Sequence, residues 1–467
     1  MVHDYIIVGS GPSGAVMADA LTRAGADCLM LEAGEARPSP AFPDNELAAN
    51  SRLFWGGGME LSRDARTVLL RGKALGGGSI VNQCLLDRFD ELAFSLWRQA
   101  SGIAGLSLEA FEPWYRRTEN RLALETLGRE GWNRNAALYA EAFERCGYGC
   151  APLRRGQSDC GGNDCVVCLG GCRRGSKQST LMTFLPQACR QGLTIRCGCQ
   201  VEALSHDRHG VTVTGYLAGR PEVWRARKVV LAAGALGTTG ILLRSGLKSR
   251  LPALGEGFFC HPQWMTLALF DEIVDAHKGA LQSLKSDEPR FRQAGFKLEN
   301  IFAGPVAISL LAPGIGKEAA RWMRDYRRMA SIEVAIRDET PGRVRLAGGR
   351  LEVEKTLGDT DRARRDAGLA VVRELFGAVG AKKLHQAPLR IGLHLMGGCA
   401  LGVDGARSVT APDHRVHDHP NLLIADSACF PAAPGINPSL SIMALSGRAA
   451  AMELGQAALE PVREAAA

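Results

Sequence analysis

The segment Tyr5-Ile-Ile-Val8-Gly9-Ser-Gly11-Pro-Ser-Gly14 decides the fold. Its first four residues form a short apolar run of the kind found in buried parallel strands. Three glycines follow at the spacing G-x-G-x-x-G, and the stretch from there to Ala24 is typical of a helix. Glycines at these places permit a tight turn, a close approach of the backbone to a pyrophosphate, and close packing of the helix on the strand. The segment therefore predicts a Rossmann-like βαβ unit that binds a dinucleotide.

The second strand of this unit ends at an acidic residue. Cys28–Leu31 is again apolar, and Glu32 follows it, close to the spacing of about 20 residues at which such motifs place an acid. An acid there accepts hydrogen bonds from a ribose hydroxyl, and glutamate rather than arginine argues against a 2′-phosphate. The helix N-terminus offers backbone N–H groups and a favourable dipole to the phosphates. The expected dinucleotide contacts are Gly9, Gly11, Gly14 and Glu32.

Length and composition indicate an ordinary globular protein with more than one domain. The chain has 467 residues, of which 46% are hydrophobic and 22% charged, and this length exceeds what one compact core usually holds. The net charge of +7 comes from scattered basic residues without interleaved aromatics, so nucleic-acid binding is not expected. No apolar stretch reaches the ~18 residues of a membrane-spanning helix. The N-terminus enters a strand without a charged leader, so we expect no secretory signal and a cytoplasmic location.

Four of the 14 cysteines lie in one segment, Cys160-Gly-Gly-Asn-Asp-Cys165-Val-Val-Cys168-Leu-Gly-Gly-Cys172. Its last two gaps match ferredoxin-type ligation, but the first gap is longer and the usual following proline is absent. Zinc also takes four thiolates, usually from two separated CxxC pairs. A reducing compartment disfavours disulfides. We favour a 4Fe–4S or 3Fe–4S cluster held by Cys160, Cys165, Cys168 and Cys172, with zinc and packed thiols without a metal as the alternatives.

Two longer segments resemble signatures of the glucose–methanol–choline (GMC) oxidoreductases. Arg71-Gly-Lys-Ala-Leu-Gly76-Gly77-Gly78-Ser79-Ile-Val-Asn82 resembles the first signature, in which a glycine loop lies against the flavin. Val229-Val-Leu-Ala-Ala233-Gly234-Ala-Leu-Gly237-Thr-Thr-Gly resembles the second, with Thr239 where proline or serine is usual. Some members carry a histidine bonded covalently to the flavin just before the asparagine of the first signature, and this chain has Val81 there. The resemblance therefore implies FAD that is bound non-covalently.

The C-terminal part of the chain carries the rest of the resemblance. His394-Leu-Met-Gly-Gly-Cys-Ala-Leu-Gly402 resembles the family segment around a catalytic histidine, with Gly398 where threonine is frequent. Downstream, Gly435-Ile-Asn437-Pro438-Ser439 supplies an asparagine. The resemblance implies that His394 removes the proton of a substrate hydroxyl, that Asn437 holds the oxygen, and that a hydride passes to flavin N5. Histidine can take a proton near neutral pH, and an asparagine amide can hold the same oxygen by hydrogen bonding.

The resemblance also assigns further FAD contacts and a fold. It implies an α/β protein with a discontinuous, Rossmann-like FAD-binding domain and an α+β substrate domain that contains an antiparallel sheet. The contacts it adds to the glycine motif are Arg71, Gly76, Gly77, Asn82, Val201, Ala233, Asp426, Asn437 and Pro438.

The expected layout has four parts. They are the FAD-binding domain (1–37, 66–95, 185–262 and 390–460), a lid (38–65), a helical segment with the cysteine cluster (96–184) and the substrate domain (263–389). Within the substrate domain, Met329–Ile336 and Gly342–Val353 are expected as strands. Asp359–Phe376 is expected as an amphipathic helix with Asp359 at its N-cap.

The sequence thus predicts an FAD-dependent dehydrogenase that oxidises the CH–OH group of a small-molecule alcohol, whether a sugar, an aminoglycoside, a cyclitol or an aliphatic alcohol. Electrons would pass, through the cluster if one is bound, to a quinone or a redox protein rather than to oxygen. The alternative is a flavin/iron–sulfur electron-transfer or redox-sensing protein, which has no need of His394 and Asn437. An NAD(P)H-dependent reductase would need a second dinucleotide motif, and Gly234-Ala-Leu-Gly237 lacks the third glycine and the acid.

Overall fold

Two β-sheets organise the protein, whose structure is a computed structural model describing residues 1–160, 165–207 and 210–456, without the side chains of 165–167. The strands in chain order are β1 (Val2–Val8), β2 (Cys28–Glu32), β3 (Glu60–Leu61), β4 (Thr67–Leu69), β5 (Cys150–Pro152), β6 (Thr194–Cys197), β7 (Cys199–Asp207), β8 (Gly210–Leu217), β9 (Arg220–Leu231), β10 (Glu256–Leu269), β11 (Leu284–Ser286), β12 (Phe296–Asn300), β13 (Met329–Ile336), β14 (Gly342–Ala347), β15 (Arg350–Glu354), β16 (Lys383–Gln386), β17 (Arg390–Gly397), β18 (Arg415–Val416) and β19 (His419–Ile424).

Helices connect and cover these strands. In chain order they are α1 (Pro12–Arg23), α2 (Glu46–Leu53), α3 (Gly78–Val81), α4 (Glu91–Ser101), α5 (Leu108–Glu119), α6 (Arg134–Arg145), α7 (Phe184–Arg190), α8 (Gly234–Arg244), α9 (Pro289–Ala294), α10 (Pro305–Leu311), α11 (Lys317–Arg324), α12 (Asp359–Ala378) and α13 (Ser439–Glu453).

The first sheet contains the predicted βαβ unit. Its strand order is β18-β19-β9-β1-β2-β6, and β1 runs parallel to both β2 and β9. Every residue of β2 is buried, as its apolar sequence predicts. Helix α1 packs against α13 and α7 on one side of this sheet. Because β1, β2, β9 and β19 are parallel, the loops that follow them meet at one edge of the sheet, where ligands of such folds bind.

The second sheet is largely antiparallel, and β10 lies near its centre. Its order is β3-β4-β17-β10-β13-β12-β11-β5, with β14, β15 and β16 attached beside this path. One face of the sheet is apolar and packs against α12. The opposite face carries polar residues on neighbouring strands, since Glu299 of β12 lies opposite Glu333 of β13, and Lys297 lies opposite Ala335. The predicted α/β class, a Rossmann-like sheet beside an antiparallel one, is confirmed.

Local details differ from the expectations at two places. The stretch expected as one strand, Gly342–Val353, is a hairpin, because Gly348 and Gly349 both have positive φ (56° and 79°) and turn the chain between β14 and β15. Helix α12 begins at Asp359, so the predicted N-cap was wrong. Gly358 takes that place, and its N–H donates to Asp361 Oδ2 at 3.2 Å.

β10 extends on both sides of the expected limit between residues 262 and 263. This strand of 14 residues pairs with β17 on one side and β13 on the other, so segments expected in different domains share the second sheet. Within the described ranges, no helix combines the length and the apolar character needed to cross a bilayer.

Candidate active site

The turn between β1 and α1 forms a cradle for an anion. Gly9 has a φ of 99°, and a side chain there would collide with the Ala232 carbonyl, while one at Gly14 would collide with the Gly9 carbonyl. The first turn of α1 contains no acid, and no side chain caps it. Within the described part of the chain, the buried hydroxyl of Ser13 also has no hydrogen-bond partner. Open N–H groups and an unpaired hydroxyl at a helix N-terminus fit a pyrophosphate.

Glu32 lies at the end of β2 and is tied to this cradle. Its carboxylate accepts from Ser10 N (3.0 Å), Ser10 Oγ (2.6 Å) and Gly34 N (2.7 Å). Burial raises the pKa of Glu32, and these hydrogen bonds oppose the rise. Ser10 Oγ in turn accepts from Gly76 N at 2.8 Å. The glycine loop and the acid expected at the ribose are therefore held together by one serine.

A cavity of about 620 Å³ opens beyond the end of β2. Gly34, Trp55, Lys73 and Gln200 contribute to its lining, and Val201, a predicted FAD contact, follows Gln200 along β7 and is buried. The cavity adjoins the cradle of α1 through the Glu32–Gly34 turn. Its place and size fit the nucleotide half of a dinucleotide.

Three of the predicted FAD contacts form hydrogen bonds to other residues of the protein. Arg71 donates two hydrogen bonds to Glu60 (2.6 and 2.7 Å), and its guanidinium lies 4.4 Å from the centre of the Trp55 ring. Asn82 Oδ1 accepts from the main-chain N–H of Cys84 at 3.0 Å. Asp426 follows β19 and accepts from Gly234 N at 2.7 Å.

Asp426 belongs to the edge at which the parallel strands end. It also accepts from Thr238 Oγ1 at 2.6 Å and Ala428 N at 2.8 Å. Burial raises the pKa of Asp426 to about 6, although these hydrogen bonds oppose the rise. Ala233 is the N-cap of α8, so the structure places Ala233, Asp426 and the glycine cradle at one edge of the first sheet. Pro438 stands at the N-cap of α13, beside Asn437.

His394 lies within β17 and forms one end of a relay of hydrogen bonds. Its φ is 54°, a left-handed conformation that is uncommon outside glycine. Its Nδ1 lies 3.0 Å from Nδ1 of His261 on β10, and Nε2 of His261 accepts from Gly435 N at 3.0 Å. Gly435 precedes Asn437 by two positions, so this relay joins the two predicted catalytic residues.

The relay fixes the position of one proton on each ring. The Gly435 N–H can only donate, so His261 Nε2 presents its lone pair and the ring carries its hydrogen on Nδ1. That hydrogen points to His394 Nδ1, which must also present a lone pair, and the hydrogen of neutral His394 is then on Nε2. With both hydrogens moved to the other nitrogens, the N–H of His261 Nε2 would face the Gly435 N–H. Two buried donors would then face each other, at a cost of about 1–3 kcal/mol.

Both rings of the relay are neutral at physiological pH. Burial and the nearby Lys297 ammonium lower the pKa of His394 to about 3, although Glu299 opposes this shift. Burial lowers the pKa of His261 well below its ordinary value, and His394 adds to the effect. Nε2 of His394 has no hydrogen-bond partner within residues 1–160, 165–207 and 210–456.

Asn437 is buried against two charged residues of β12. Its Oδ1 accepts from Lys297 Nζ at 2.7 Å, and its Nδ2 donates to Glu299 Oε1 at 3.3 Å. Lys297 and Glu299 also form an ion pair of 2.7 Å. The Lys297 side chain is 15% exposed to solvent, whereas the Glu299 side chain is 2% exposed. The lysine is therefore the more open member of this pair.

A second carboxyl lies directly behind Glu299. Gln282 Nε2 donates to Glu299 Oε2 at 2.6 Å and lies 3.3 Å from Glu333 Oε1. Burial and then the Glu299 charge raise the pKa of Glu333 well above its usual value. Burial would also raise that of Glu299, but Lys297 and the Glu333 hydrogen bond outweigh it and lower the pKa. Glu299 is the ionised member of the pair, and Glu333 keeps its proton.

The sequence alone did not single out His261, Lys297, Glu299 or Glu333. The charges of Lys297 and Glu299 stand two positions apart in a short strand otherwise fit for burial, which puts both on one face of it. Charged residues at alternate positions of a buried strand are uncommon without a functional reason. That alternation is the signal that could have found them.

The cysteine segment adjoins the glycine loop. The buried Lys177 donates to the carbonyls of Ile80 (2.8 Å), Asn82 (2.6 Å) and Cys168 (2.8 Å), and so links the segment to the first signature. Arg155 Nη2 lies 3.7 Å from Cys160 Sγ. Among the described side chains, no group of three or more His, Cys, Asp or Glu could hold a metal ion. The Cys165 side chain lies outside the described residues, so ligation by Cys160, Cys165, Cys168 and Cys172 stays a prediction.

Comparison with known families gives two matches. Models of the N-terminal and C-terminal parts of the GMC oxidoreductases match residues 4–263 and 338–446. A pyridoxine 4-oxidase from Mesorbium loti has a similar structure, with a TM-score of 0.72, 18% sequence identity, and coverage of 96% of this chain and 98% of that one.

Three curated relatives extend this similarity. The uncharacterized GMC-type oxidoreductase Rv0492c of Mycobacterium tuberculosis is 30% identical over 95% of this chain and 74% of its own. The paromamine 6′-oxidase of Streptomyces fradiae is 28% identical over 96% and 91%. The long-chain-alcohol oxidase FAO4B of Arabidopsis thaliana is 26% identical over 94% of this chain, which spans 65% of the length of FAO4B.

Proposed function

Because this chain belongs to the GMC oxidoreductase family, we propose that it is an FAD-dependent enzyme that oxidises the CH–OH group of an alcohol to a carbonyl. One observation carries the proposal. The relay from Gly435 through His261 to His394, and the Lys297–Asn437 hydrogen bond, bring the two expected catalytic residues to one cluster at the polar face of the second sheet. A redox-sensing protein needs no such cluster.

The cofactor would be FAD, held without a covalent bond. The cradle around Gly9, Gly11 and Gly14 would hold the pyrophosphate, and Glu32 the ribose. Val201 would meet the adenine, and the other proposed contacts are Arg71, Gly76, Gly77, Asn82, Ala233, Asp426, Asn437 and Pro438. When bound, FAD supplies the acceptor for the hydride that leaves the alcohol carbon.

The protein groups bind and orient the alcohol. His394 Nε2 and the Asn437 amide would hold the substrate oxygen between them, and Lys297 places a positive charge beside it. In the relay, His394 Nε2 carries the hydrogen and can donate to that oxygen. His394 would take the proton of the substrate hydroxyl, the role that the resemblance implies, once the relay reverses and Nε2 presents its lone pair.

The substrate we propose is a polar alcohol of the sugar, cyclitol or aminoglycoside type. The face of the second sheet that carries His261 also carries Gln263, Lys297, Glu299 and Glu333. A pocket for a long alkyl chain is lined mainly by apolar side chains, because burying unpaired polar groups is costly. Of the named relatives, the paromamine 6′-oxidase fits this polar face better than the long-chain-alcohol oxidase does.

The electron acceptor we propose is a quinone or a redox protein, which would make the enzyme a dehydrogenase. The supporting observation is the contact of the cysteine segment with the glycine loop through Lys177. An iron–sulfur cluster at Cys160, Cys165, Cys168 and Cys172 would provide a one-electron exit from that side. Iron and acid-labile sulfide measured after anaerobic purification decide between a cluster, zinc and packed thiols.

An anaerobic substrate screen tests the proposed function. Purified holoenzyme is mixed with sugar alcohols, cyclitols, aminoglycosides and long-chain alcohols, and loss of the oxidised-flavin absorbance is followed. We expect bleaching by one of the polar classes, and bleaching that is slower by about 10²–10⁴-fold in His394→Ala. The matched control is His3→Ala, since His3 of β1 pairs with Asp27 and takes no part in the relay. Bleaching of the wild type by long-chain alcohols alone would overturn the polar substrate class.

A further inference from the structure

We propose that Arg337 binds an anionic group of the substrate, a carboxylate or a phosphate ester, at the edge of the polar face of the second sheet. The inference rests on the proposed oxidation of a polar alcohol, and it narrows the substrate class to polyols that carry an acid group. It makes Arg337 a residue that determines specificity, with the reacting hydroxyl held at His394 and Asn437.

Arg337 continues the polar face beyond the end of β13. Its main-chain N–H donates to the Gly295 carbonyl at 2.8 Å, which extends the pairing of Ala335 with Lys297 between β13 and β12. Side chains of a strand alternate between its two faces. Arg337 stands two positions from Ala335 and therefore lies on the face of Lys297, whereas the neighbouring Ile336 is buried in the apolar core.

Arg337 also packs against the glycine from which the histidine relay starts. A Cβ added to Gly435 would lie 3.0 Å from Cβ of Arg337 and 2.6 Å from Nη1 of Arg292. The N–H of this glycine donates to His261 Nε2 at 3.0 Å, and Asn437 follows two positions later. Two residues span at most about 7 Å of backbone, so a ligand of the size of a sugar can contact both Asn437 and Arg337.

The charge of Arg337 is the one that its surroundings leave uncompensated. The other basic residues next to it are each paired with a carboxylate, in the pairs Arg292–Asp90, Lys297–Glu299 and Arg364–Glu339. Within residues 1–160, 165–207 and 210–456, Arg337 forms no ion pair, and its side chain makes one hydrogen bond, from Nη1 to the Arg292 carbonyl at 3.4 Å. A guanidinium has five N–H groups, so four remain for a ligand.

An anion would relieve the repulsion at this point. Burial lowers the pKa of the Arg337 guanidinium to about 10, and the charges of Arg292 and Arg364 add to the shift. The group is still protonated near neutral pH and is repelled by these basic neighbours. A bound carboxylate or phosphate would supply the missing partner, because the planar fork of N–H groups matches two oxygens of either anion.

The carboxyl groups of the same face are less suited to an ammonium group. Glu299 already accepts hydrogen bonds from three residues and its side chain is 2% exposed, and Glu333 keeps its proton. A cationic amino sugar would meet the positive charges of Lys297 and Arg337 there. The face therefore favours an acidic polyol over an amino sugar.

The first test measures binding without turnover. Four ligands differ at one end of the same carbon chain: neutral glucitol, gluconate with a carboxylate, glucitol 6-phosphate, and glucamine with an ammonium group. They are titrated by calorimetry into holoenzyme whose flavin has been reduced electrochemically, so that no alcohol can be oxidised. We expect one of the two acids to bind about 10–100-fold more tightly than glucitol, and glucamine to bind more weakly. The two acids distinguish a carboxylate from a phosphate.

The variants assign this preference to Arg337. Arg337→Met should weaken binding of the favoured acid by about 10–100-fold, because a charged hydrogen-bonding partner is lost, and should leave glucitol unchanged. Arg337→Lys keeps the charge without the fork and should lie between the two. Arg343→Met, at an exposed ion pair with Glu256, is the matched control. FAD content and the visible flavin spectrum check that each variant folds.

The second test compares oxidation of the same four ligands. In Arg337→Met, kcat/KM should fall for the favoured acid and not for glucitol, mostly through KM, because Arg337 contacts the substrate away from the reacting carbon. Arg337→Glu should reverse the order of the favoured acid and glucamine, since it places a negative charge at the same position.

The outcomes separate this inference from the proposed function. Acids that bind no more tightly than glucitol, or equal losses for glucitol and the acids in Arg337→Met, would overturn the anion site and leave the alcohol oxidation in place. If Arg337→Met fails to fold, Arg337→Lys and the wild-type ligand series decide. A wild type that no alcohol reduces removes the proposed function, whereas the binding series with reduced holoenzyme still tests Arg337.

Discussion

Nδ1 of His261 lies 3.0 Å from Nδ1 of His394, and the two rings are nearly perpendicular at 81°. Two histidines that meet through like-named nitrogens can share one hydrogen at a time. The Gly435 N–H on the far side of His261 decides which ring holds it. His261 and the Gly435 N–H thereby set which nitrogen of His394, the proposed substrate contact, carries the hydrogen.

The first prediction follows from that contact. His261→Ala should lower the rate of flavin reduction by about 10–100-fold, because His394 loses the partner that orients it. His261→Gln should recover part of the loss, since an amide can accept from Gly435 and donate to His394. Stopped-flow reduction at saturating substrate measures both. Equal rates in the Ala and Gln variants would mean that His261 only fills space.

The second prediction concerns the proposed catalytic pair. His394→Ala should leave FAD bound and lower flavin reduction by about 10²–10⁴-fold, because the substrate oxygen loses its strongest orienting partner. Asn437→Ala should cost less, since Lys297 stays beside the oxygen. Both are measured anaerobically against wild type. A near-normal rate in His394→Ala would move the site elsewhere.

The third prediction concerns the cofactor. Denatured wild-type protein should release FAD into solution, because Val81 cannot form a covalent bond to it. Gly14→Ala should yield protein with little FAD, since its methyl group would collide with the Gly9 carbonyl. Gly377→Ala is the control, because the φ of Gly377 lies outside the left-handed region and nothing lies within 4 Å of the added methyl group. Flavin that precipitates with the polypeptide would contradict the non-covalent site.

The fourth prediction concerns the cysteine segment. Protein purified without oxygen should contain about three or four irons per chain, with matching acid-labile sulfide. Cys168→Ser should remove the iron and slow reduction of an external acceptor, but spare reduction of the flavin by alcohol. Cys189→Ser, at an exposed cysteine outside the segment, is the control. Iron-free protein with full turnover would remove the relay and leave the alcohol oxidation standing.

The fifth prediction concerns pH. The pKa of His394 is lowered to about 3, by burial first and Lys297 second, so the ring stays neutral above that value. The rate of flavin reduction should therefore not fall between about pH 8 and pH 5, the range in which an ordinary histidine becomes protonated. In the unfolded chain His394 titrates near 6.5, so its contribution to stability is complete above that pH and is lost as the pH falls towards 3.

The stability part of this prediction has its own measurement. His394→Ala should make the melting temperature fall less steeply than that of wild type as the medium is acidified, because one buried neutral histidine is removed. His3→Ala provides the comparison. An unchanged slope would mean that folding does not lower the pKa of His394.

The sequence predicted the first sheet well because its signals are local. The apolar run before Gly9, the three glycines and Glu32 each have a direct steric or electrostatic reason for their position, and all lie within one βαβ unit. The hairpin at Gly348 and Gly349 was missed although the signal was local too. Paired glycines between alternating residues favour a two-residue turn over a continuous strand.

The polar face of the second sheet could not be predicted in the same way. Glu299 and Glu333 come together only because β12 and β13 pair in a particular register. His261 meets His394 across β10 and β17, where the pairing is irregular. Register depends on the whole sheet, and no short segment encodes it. The proposed catalytic pair, His394 and Asn437, could be named from its motifs, but its hydrogen-bonding partners could not.

Lys177 donates its three hydrogens to carbonyl groups of two segments. Two of them, Ile80 and Asn82, belong to the glycine-loop segment, and the third, Cys168, belongs to the cysteine segment. Leaving one N–H of a buried ammonium without an acceptor is costly. If the Cys168 carbonyl moves, Lys177 therefore has to move with it, and its hydrogen bond to Asn82 changes. The absorbance of a flavin lying against that loop would then report the chemical state of the cysteine thiols. Oxidising or alkylating them should shift this absorbance before any substrate is added.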